Sequence, residues 1–112
     1  MRFVLFFCDD ESARLSPQRI AEHPGHQAWL ADMTRRRVYR SGGRLRPVAD
    51  SSTVRVREGS TLVSDGPFAE TKDLVGGYAL VECADLDEAI DVAARHPVAE
   101  YGAVEVRPLR QI

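Results

Sequence analysis

The segment Arg2–Cys8 (RFVLFFC) makes a strand with no polar side. Phe3, Leu5 and Phe7 point to one face of the pleat and Val4, Phe6 and Cys8 to the other. A sheet built around such a strand must be covered on both faces, because neither face can be left to water. The rest of the chain has to be judged by how much cover it supplies.

Ser16-Pro17 opens a helical region, with the serine placed to cap the first amides and the proline suited to the first helical position. Pro24-Gly25 interrupts it. The pattern predicts a short helix to about His23 and a longer one from about Gly25 to Ser41, stopped by Gly42-Gly43. On the longer helix His26, Trp29, Leu30 and Met33 fall at offsets of three, four and seven and share the inward face. Thr53–Arg57 alternates, with Val54 and Val56 read as inward, and Glu58-Gly59 turns the chain into Thr61–Ser64. Gly77–Cys83 is a second, mostly apolar strand. It leads into Asp85-Leu86-Asp87-Glu88, where Asp85 can cap a helix and Glu88 can reach back to close a capping box. Leu86, Ala89, Ile90 and Ala93 are the expected buried side of that helix. Its acids lie at the start and Arg95 and His96 at the end, matching the helix dipole, and Pro97 blocks continuation. Val104–Leu109 returns as a last strand, with Pro108 marking an edge or a strand end.

Strand, helix, hairpin, strand, helix, strand is an α+β order. It predicts the ferredoxin-like split βαβ antiparallel sheet with an extra hairpin in the middle, as one domain over residues 1–112. Two helices cover one face of such a sheet. The least costly cover for the other face is an identical subunit related by a two-fold axis, sheet facing sheet, so a homodimer is expected.

Composition narrows the partners. At 44% hydrophobic and 29% charged residues the chain is too apolar to be disordered. A net charge of -2, from 15 basic and 17 acidic side chains, gives no field that would draw it to nucleic acid or anionic lipid. No apolar run approaches the roughly 20 residues of a membrane span, and the opening strand meets Asp9, Asp10 and Glu11 too soon to serve as a secretory signal. A cytoplasmic protein is expected, with Cys8 and Cys83 as reduced thiols. There is no Cys-x-x-Cys pair, dinucleotide fingerprint or phosphate loop, so no cofactor is expected. His23-x-x-His26, with Glu22 or Asp32 as a further ligand, invites a metal reading, but Pro24-Gly25 between the histidines spoils the helical geometry that would aim both rings at one ion, so no metal is expected.

The run Ser64-Asp65-Gly66-Pro67-Phe68-Ala69-Glu70-Thr71-Lys72, followed by Gly76-Gly77-Tyr78, resembles the signature of the YCII-related proteins, in particular the branch with a DGPF domain. The likeness extends over nearly the whole chain, from the opening strand to the closing YGAVEVRPL. It implies a dimeric α+β barrel. Members of that family are associated in some cases with alternative sigma factors, and a relative in the broader fold group is a dehydrochlorinase of a hydroxylated aromatic ring. A histidine on the first helix and a nearby aspartate are the family's proposed catalytic pair, which the resemblance carries to His26 and Asp65. The chain departs from the usual pattern at His23-Pro24-Gly25 and at Arg35-Arg36-Arg37.

The residues themselves leave two readings open. A neutral imidazole at His26, oriented by the Asp65 carboxylate, can take a proton from a phenol or activated carbon; equally, His26 is a core histidine and Asp65 an Asx-type turn former ahead of Gly66-Pro67. Trp29, Gly66, Pro67, Phe68 and Lys72 are the candidate ligand-binding residues, with Phe68 either stacking on a ligand or anchoring its loop in the core, and Lys72 neutralising an anion or lying in solvent. The basic cluster Arg35, Arg36, Arg37, Arg40, Arg44 and Arg46 reads as a solvated helix end or as a grip for an acidic partner. The function expected is proton transfer or elimination on a small cyclic or aromatic metabolite. The alternative is a non-catalytic dimer that binds a ligand or a transcription-associated partner.

Overall fold

The computed structural model describes residues 1–10, 23–69 and 73–110. The short helix expected between Ser16 and His23, and the candidates Glu70 and Lys72, lie outside the described residues.

Strand β1 (Arg2–Asp9) occupies an inner position of a four-stranded antiparallel sheet, between β5 (Leu74–Glu82) and β6 (Ala103–Pro108). The fourth strand, β2 (Tyr39–Arg44), pairs with β5 at the far edge. With the separate hairpin of β3 (Ser52–Arg57) and β4 (Ser60–Asp65) set aside, the strand order is that of a split βαβ sheet. Helix α1 (Pro24–Arg35) follows β1, and α2 (Leu86–Ala94) with the single turn α3 (Val98–Tyr101) joins β5 to β6. The fold is therefore α+β, as the element order predicts.

The inner face of β1 explains where the helices go. Phe3, Leu5, Ala79, Val81, Trp29, Met33, Ala89 and Val92 form one buried cluster between the sheet and the two longer helices. On the other face Val4, Phe6, Cys8 and Leu80 are half-buried and Tyr78 is exposed, with the Arg107 guanidinium lying over the Phe6 ring at 5.5 Å. The smallest dimension of the molecule is 19 Å, the depth of two layers, each roughly 10 Å thick. Cys8 and Cys83 are both free, and burial pushes the Cys83 thiol up to about 11, with Glu88 adding to the effect.

Several local expectations hold. Glu58 and Gly59 both have positive φ, 51° and 78°, as a two-residue turn of type I′ requires. The Asp85 carboxylate accepts from the Glu88 amide at 2.9 Å, and Glu88 reaches back to the amide of Ala84 at 3.3 Å. Pro24 begins α1, where its missing N–H costs nothing.

Four expectations need correction. First, α1 ends at Arg35 and not at Ser41, because the chain turns there through a left-handed residue. Arg37, at φ 60°, takes the place usually given to glycine; its amide bonds to Thr34 and the Val38 amide bonds to Met33, the paired bonds of a Schellman stop, with Val38 and Met33 both buried beneath it. Second, Gly42-Gly43 lies inside strand β2 and does not stop a helix: a Cβ on Gly42 would sit 2.6 Å from the Tyr78 carbonyl oxygen. Third, Val54 and Val56 are not inward. They share a face with Val63 on a hairpin that packs mainly on itself, and all three are more than half exposed. Fourth, the buried stripe of α2 is Ala89, Val92 and Ala93, while Leu86 and Ile90 are half exposed.

Candidate functional site

Where α1 begins, the chain must pass close to the corner between α2 and α3. Gly25 permits this, since a Cβ there would meet Pro97 at 2.9 Å. The His23 ring caps the helix, its Nδ1 accepting from the Gly25 amide at 3.0 Å. One turn on, His26 comes to lie beside His96, which follows the last residues of α2 and is only 5% exposed. Nδ1 of His26 is 3.2 Å from Nε2 of His96, and Nδ1 of His96 accepts from the Val98 amide at 3.2 Å.

Aromatic rings fix this pair in place. Phe7 stacks on His96 at 4.3 Å between centroids, and Trp29 meets the same ring edge-on at 5.0 Å. The Trp29 Nε1–H donates to the Val92 carbonyl at 2.9 Å, which ties α1 to α2 directly behind the histidines. Burial holds His26 below the ordinary histidine value, with Arg44 and then His23 adding positive charge to the same effect. His96 is pushed down to about 4, first by burial and then by His26, Arg44 and His23. Both rings are thus neutral near pH 7.

The pair forms part of the wall of a cavity of about 260 Å³ between helix and sheet. Asp9 at the end of β1 and Arg44 at the end of β2 supply its charged groups, Tyr39 and Tyr101 its phenols, and the backbones of Gly42 and Gly77 part of its floor. Since about 150 Å³ suffices to hold benzene, a single substituted ring fits the space. Among the described residues no three His, Cys, Asp or Glu side chains are grouped to hold a metal ion.

Of the residues singled out by sequence, the structure brings His26 and Trp29 to this cavity. Asp65 does not meet His26 within the chain. It ends the hairpin strand β4 on the exposed surface, and it is His96 that Nδ1 of His26 faces. Gly66 and Pro67 are half-buried at the neck of that hairpin, where the Gly66 amide bonds to Ser51 and the Thr53 hydroxyl donates to the Gly66 carbonyl. Phe68 neither anchors its loop in the core nor lines the cavity, being 81% exposed. The arginine cluster is dispersed: Arg35 and Arg36 pair with Asp32, Arg46 pairs with Asp50, and of the six Arg44 alone is on the cavity wall.

Two functional candidates, His96 and Asp9, escaped the sequence reading. In the sequence His96 reads as a cation at a helix end, although it lies four residues after the buried Val92 and so continues the inward stripe. In the sequence Asp9 reads as the first of three acids that cut the apolar run short, although it lies two residues beyond Phe7 and is itself buried.

Comparison with known proteins places this arrangement. The chain resembles an uncharacterised protein of Rhizobium meliloti (strain 1021), 46% identical over 81 residues, a match spanning 65% of this chain and 65% of that protein's own length. Its fold is similar to that of 5-chloro-2-hydroxyhydroquinone dehydrochlorinase (TftG) from Burkholderia phenoliruptrix AC1100, solved in complex with 2,5-dihydroxybenzoquinone. The TM-score is 0.52 at 19% identity, covering 98% of this chain and 94% of that one. That likeness is one of architecture. The YCII-related domain matches residues 1–112 from end to end, and the chain belongs to the YCII-related family.

Proposed function

We propose that this protein is a small-molecule enzyme that moves a proton, with or without elimination of a leaving group, on a small cyclic or aromatic metabolite. The observation that carries the reading is a neutral histidine pair and a buried carboxylate on the wall of one ring-sized cavity. In the proposed step the Asp9 carboxylate accepts a proton from a hydroxyl or C–H of the substrate. The electron pair left behind stays on the deprotonated oxygen, or moves from carbon onto a carbonyl oxygen of the ring system, beside His26; in an elimination it returns to form a double bond while the leaving group departs as an anion with its own bonding pair. The fold neighbour's bound dihydroxybenzoquinone is a ligand of suitable size and polarity. Asp65, on the hairpin, is assigned to a site only if it reaches one in another subunit.

A screen of hydroxylated monocyclic compounds in deuterated buffer tests this, read by NMR for deuterium incorporation and for release of leaving groups. Wild type is expected to turn over at least one compound, and Asp9→Asn and His26→Ala to lower the rate by about 100-fold or more, the range for loss of a positioned acid–base group. Folding of each variant is checked by circular dichroism. Ligand binding that ignores His26, with no turnover in any arm, would instead support the non-catalytic, ligand-binding or transcription-associated alternative.

A homodimer belongs to the same reading. The half-buried Val4, Phe6 and Leu80 and the exposed Tyr78 form an apolar sheet face that carries neither of the longer helices. Two such faces related by a two-fold axis would cover each other. Sedimentation at micromolar concentration is expected to give twice the chain mass of 12.5 kDa, and Leu80→Asp to give the monomer. A wild-type monomer at that concentration overturns the assignment.

A further inference from the structure

The bonds around His96 decide which nitrogen of His26 carries a proton. The Val98 N–H donates to Nδ1 of His96, so that nitrogen presents its lone pair and the His96 proton sits on Nε2. Nε2 faces Nδ1 of His26 at 3.2 Å, and two N–H groups cannot point at each other, so Nδ1 of His26 accepts. A neutral imidazole that accepts at Nδ1 holds its own proton on Nε2, the nitrogen left for the cavity. A line of donors therefore runs from a backbone amide through two rings and ends as an N–H. The neutral pair offers the cavity no lone pair, which reverses the polarity expected of His26 as a base.

The positive charges nearby point the same way. Arg44 is on the same wall, close enough for its charge to act on both rings, and His23 adds a further ring nitrogen. Asp9 is the one carboxylate on that wall among the described residues. We propose that His26 and Arg44 form the seat of an anionic oxygen of the ligand, a carboxylate or an ionised enol or phenol, with His96 the positioning residue that keeps the His26 proton on Nε2. This rests on the reading of the cavity as a small-molecule site. A forked guanidinium and an N–H are both donors without acceptor capacity, so the seat rejects cationic and donor-only groups. Its ligand class is narrower than ring compounds in general.

The test uses the ¹⁵N-labelled protein with benzoate, benzamide and benzylamine as probes. Long-range ¹H–¹⁵N correlations of the imidazoles report the tautomers, and Trp29 fluorescence reports occupation of the cavity. Expected are Nε2–H tautomers for both rings, benzoate bound at least about tenfold more tightly than benzamide, and no benzylamine binding. Arg44→Gln should bring benzoate and benzamide close to parity. His96→Phe should give His26 a mixture of tautomers and weaken benzoate several-fold, whereas His96→Gln, which keeps an N–H in place of Nε2, should restore most of both. An Nδ1–H tautomer at His26, or benzamide binding as tightly as benzoate, overturns the seat while leaving the cavity as a ligand site. If none of the three probes binds, the seat and the small-molecule reading fall together.

Discussion

Replacing Trp29 by alanine is expected to cost about 3–5 kcal/mol of folding stability, measured as a shift in the urea midpoint at unchanged slope. Trp29 is 4% exposed and touches three other rings, Phe7, Tyr39 and His96, each edge-on. Truncation would leave a void that neither α1 nor the sheet can close. It would also strip the Val92 carbonyl of its indole donor in a buried setting, which adds the cost of an unsatisfied acceptor. Against a total of roughly 5–15 kcal/mol for a domain of ordinary stability, the variant would be marginal. Trp29→Phe provides the companion measurement, since it keeps most of the ring volume and loses the N–H, and its loss should be clearly smaller. A cost below about 1 kcal/mol for the alanine variant would mean that α1 is not clamped to α2 by this side chain.

The second large effect is a loss of stability in mild acid. His96 is held at about 4 in the folded chain against an ordinary value near 6.5, so between these values the unfolded chain binds a proton that the folded chain does not. Stability contributed by the neutral ring is fully present above about pH 6.5 and is lost as pH falls towards 4. The difference corresponds to about 3 kcal/mol in total, of which about 2 kcal/mol should be gone by pH 4.5. His26, also held low by burial, shifts stability in the same direction. Urea unfolding of wild type and His96→Phe at pH 7 and pH 4.5 checks this. The variant is expected to be less stable at pH 7, because the Val98 amide and Nδ1 of His26 lose their partner, but to lose much less between the two pH values. Equal losses in both proteins would show that His96 is not the group responsible.

How far the sequence carried the fold is clearest at its strands and turns. RFVLFFC could be nothing but an inner strand, and Glu58-Gly59 and Asp85 with Glu88 are local chemistry that needs no tertiary context. The edge strand β2 was hidden because its two signals pointed elsewhere. A glycine pair after a helical stretch reads as a helix stop, while the actual stop falls on Arg37, an arginine in a left-handed position that only the Val38–Met33 closure makes worthwhile. Val54 and Val56 alternate as an inward strand should, yet alternation says only that one face is apolar and not what covers it. The site was half legible. His26 and Trp29 share a helical face that periodicity reveals, whereas the meeting of His26 with His96 joins residues 70 positions apart and depends on the close approach of Gly25 to Pro97.

The glycines of the cavity floor carry a last consequence. Any side chain at Gly42 would drive into the Tyr78 carbonyl, and one at Gly77 would crowd the Gly43 carbonyl at 3.1 Å. That side of the chamber is bare peptide and is fixed by strand spacing, so mutation has almost no purchase on it. Divergence in what the chamber accepts must come from the side chains around that floor, among which Leu30 and Tyr101 lie off the strands and can change size without disturbing a ladder. An engineer seeking altered selectivity would randomise those two positions and leave the glycines alone.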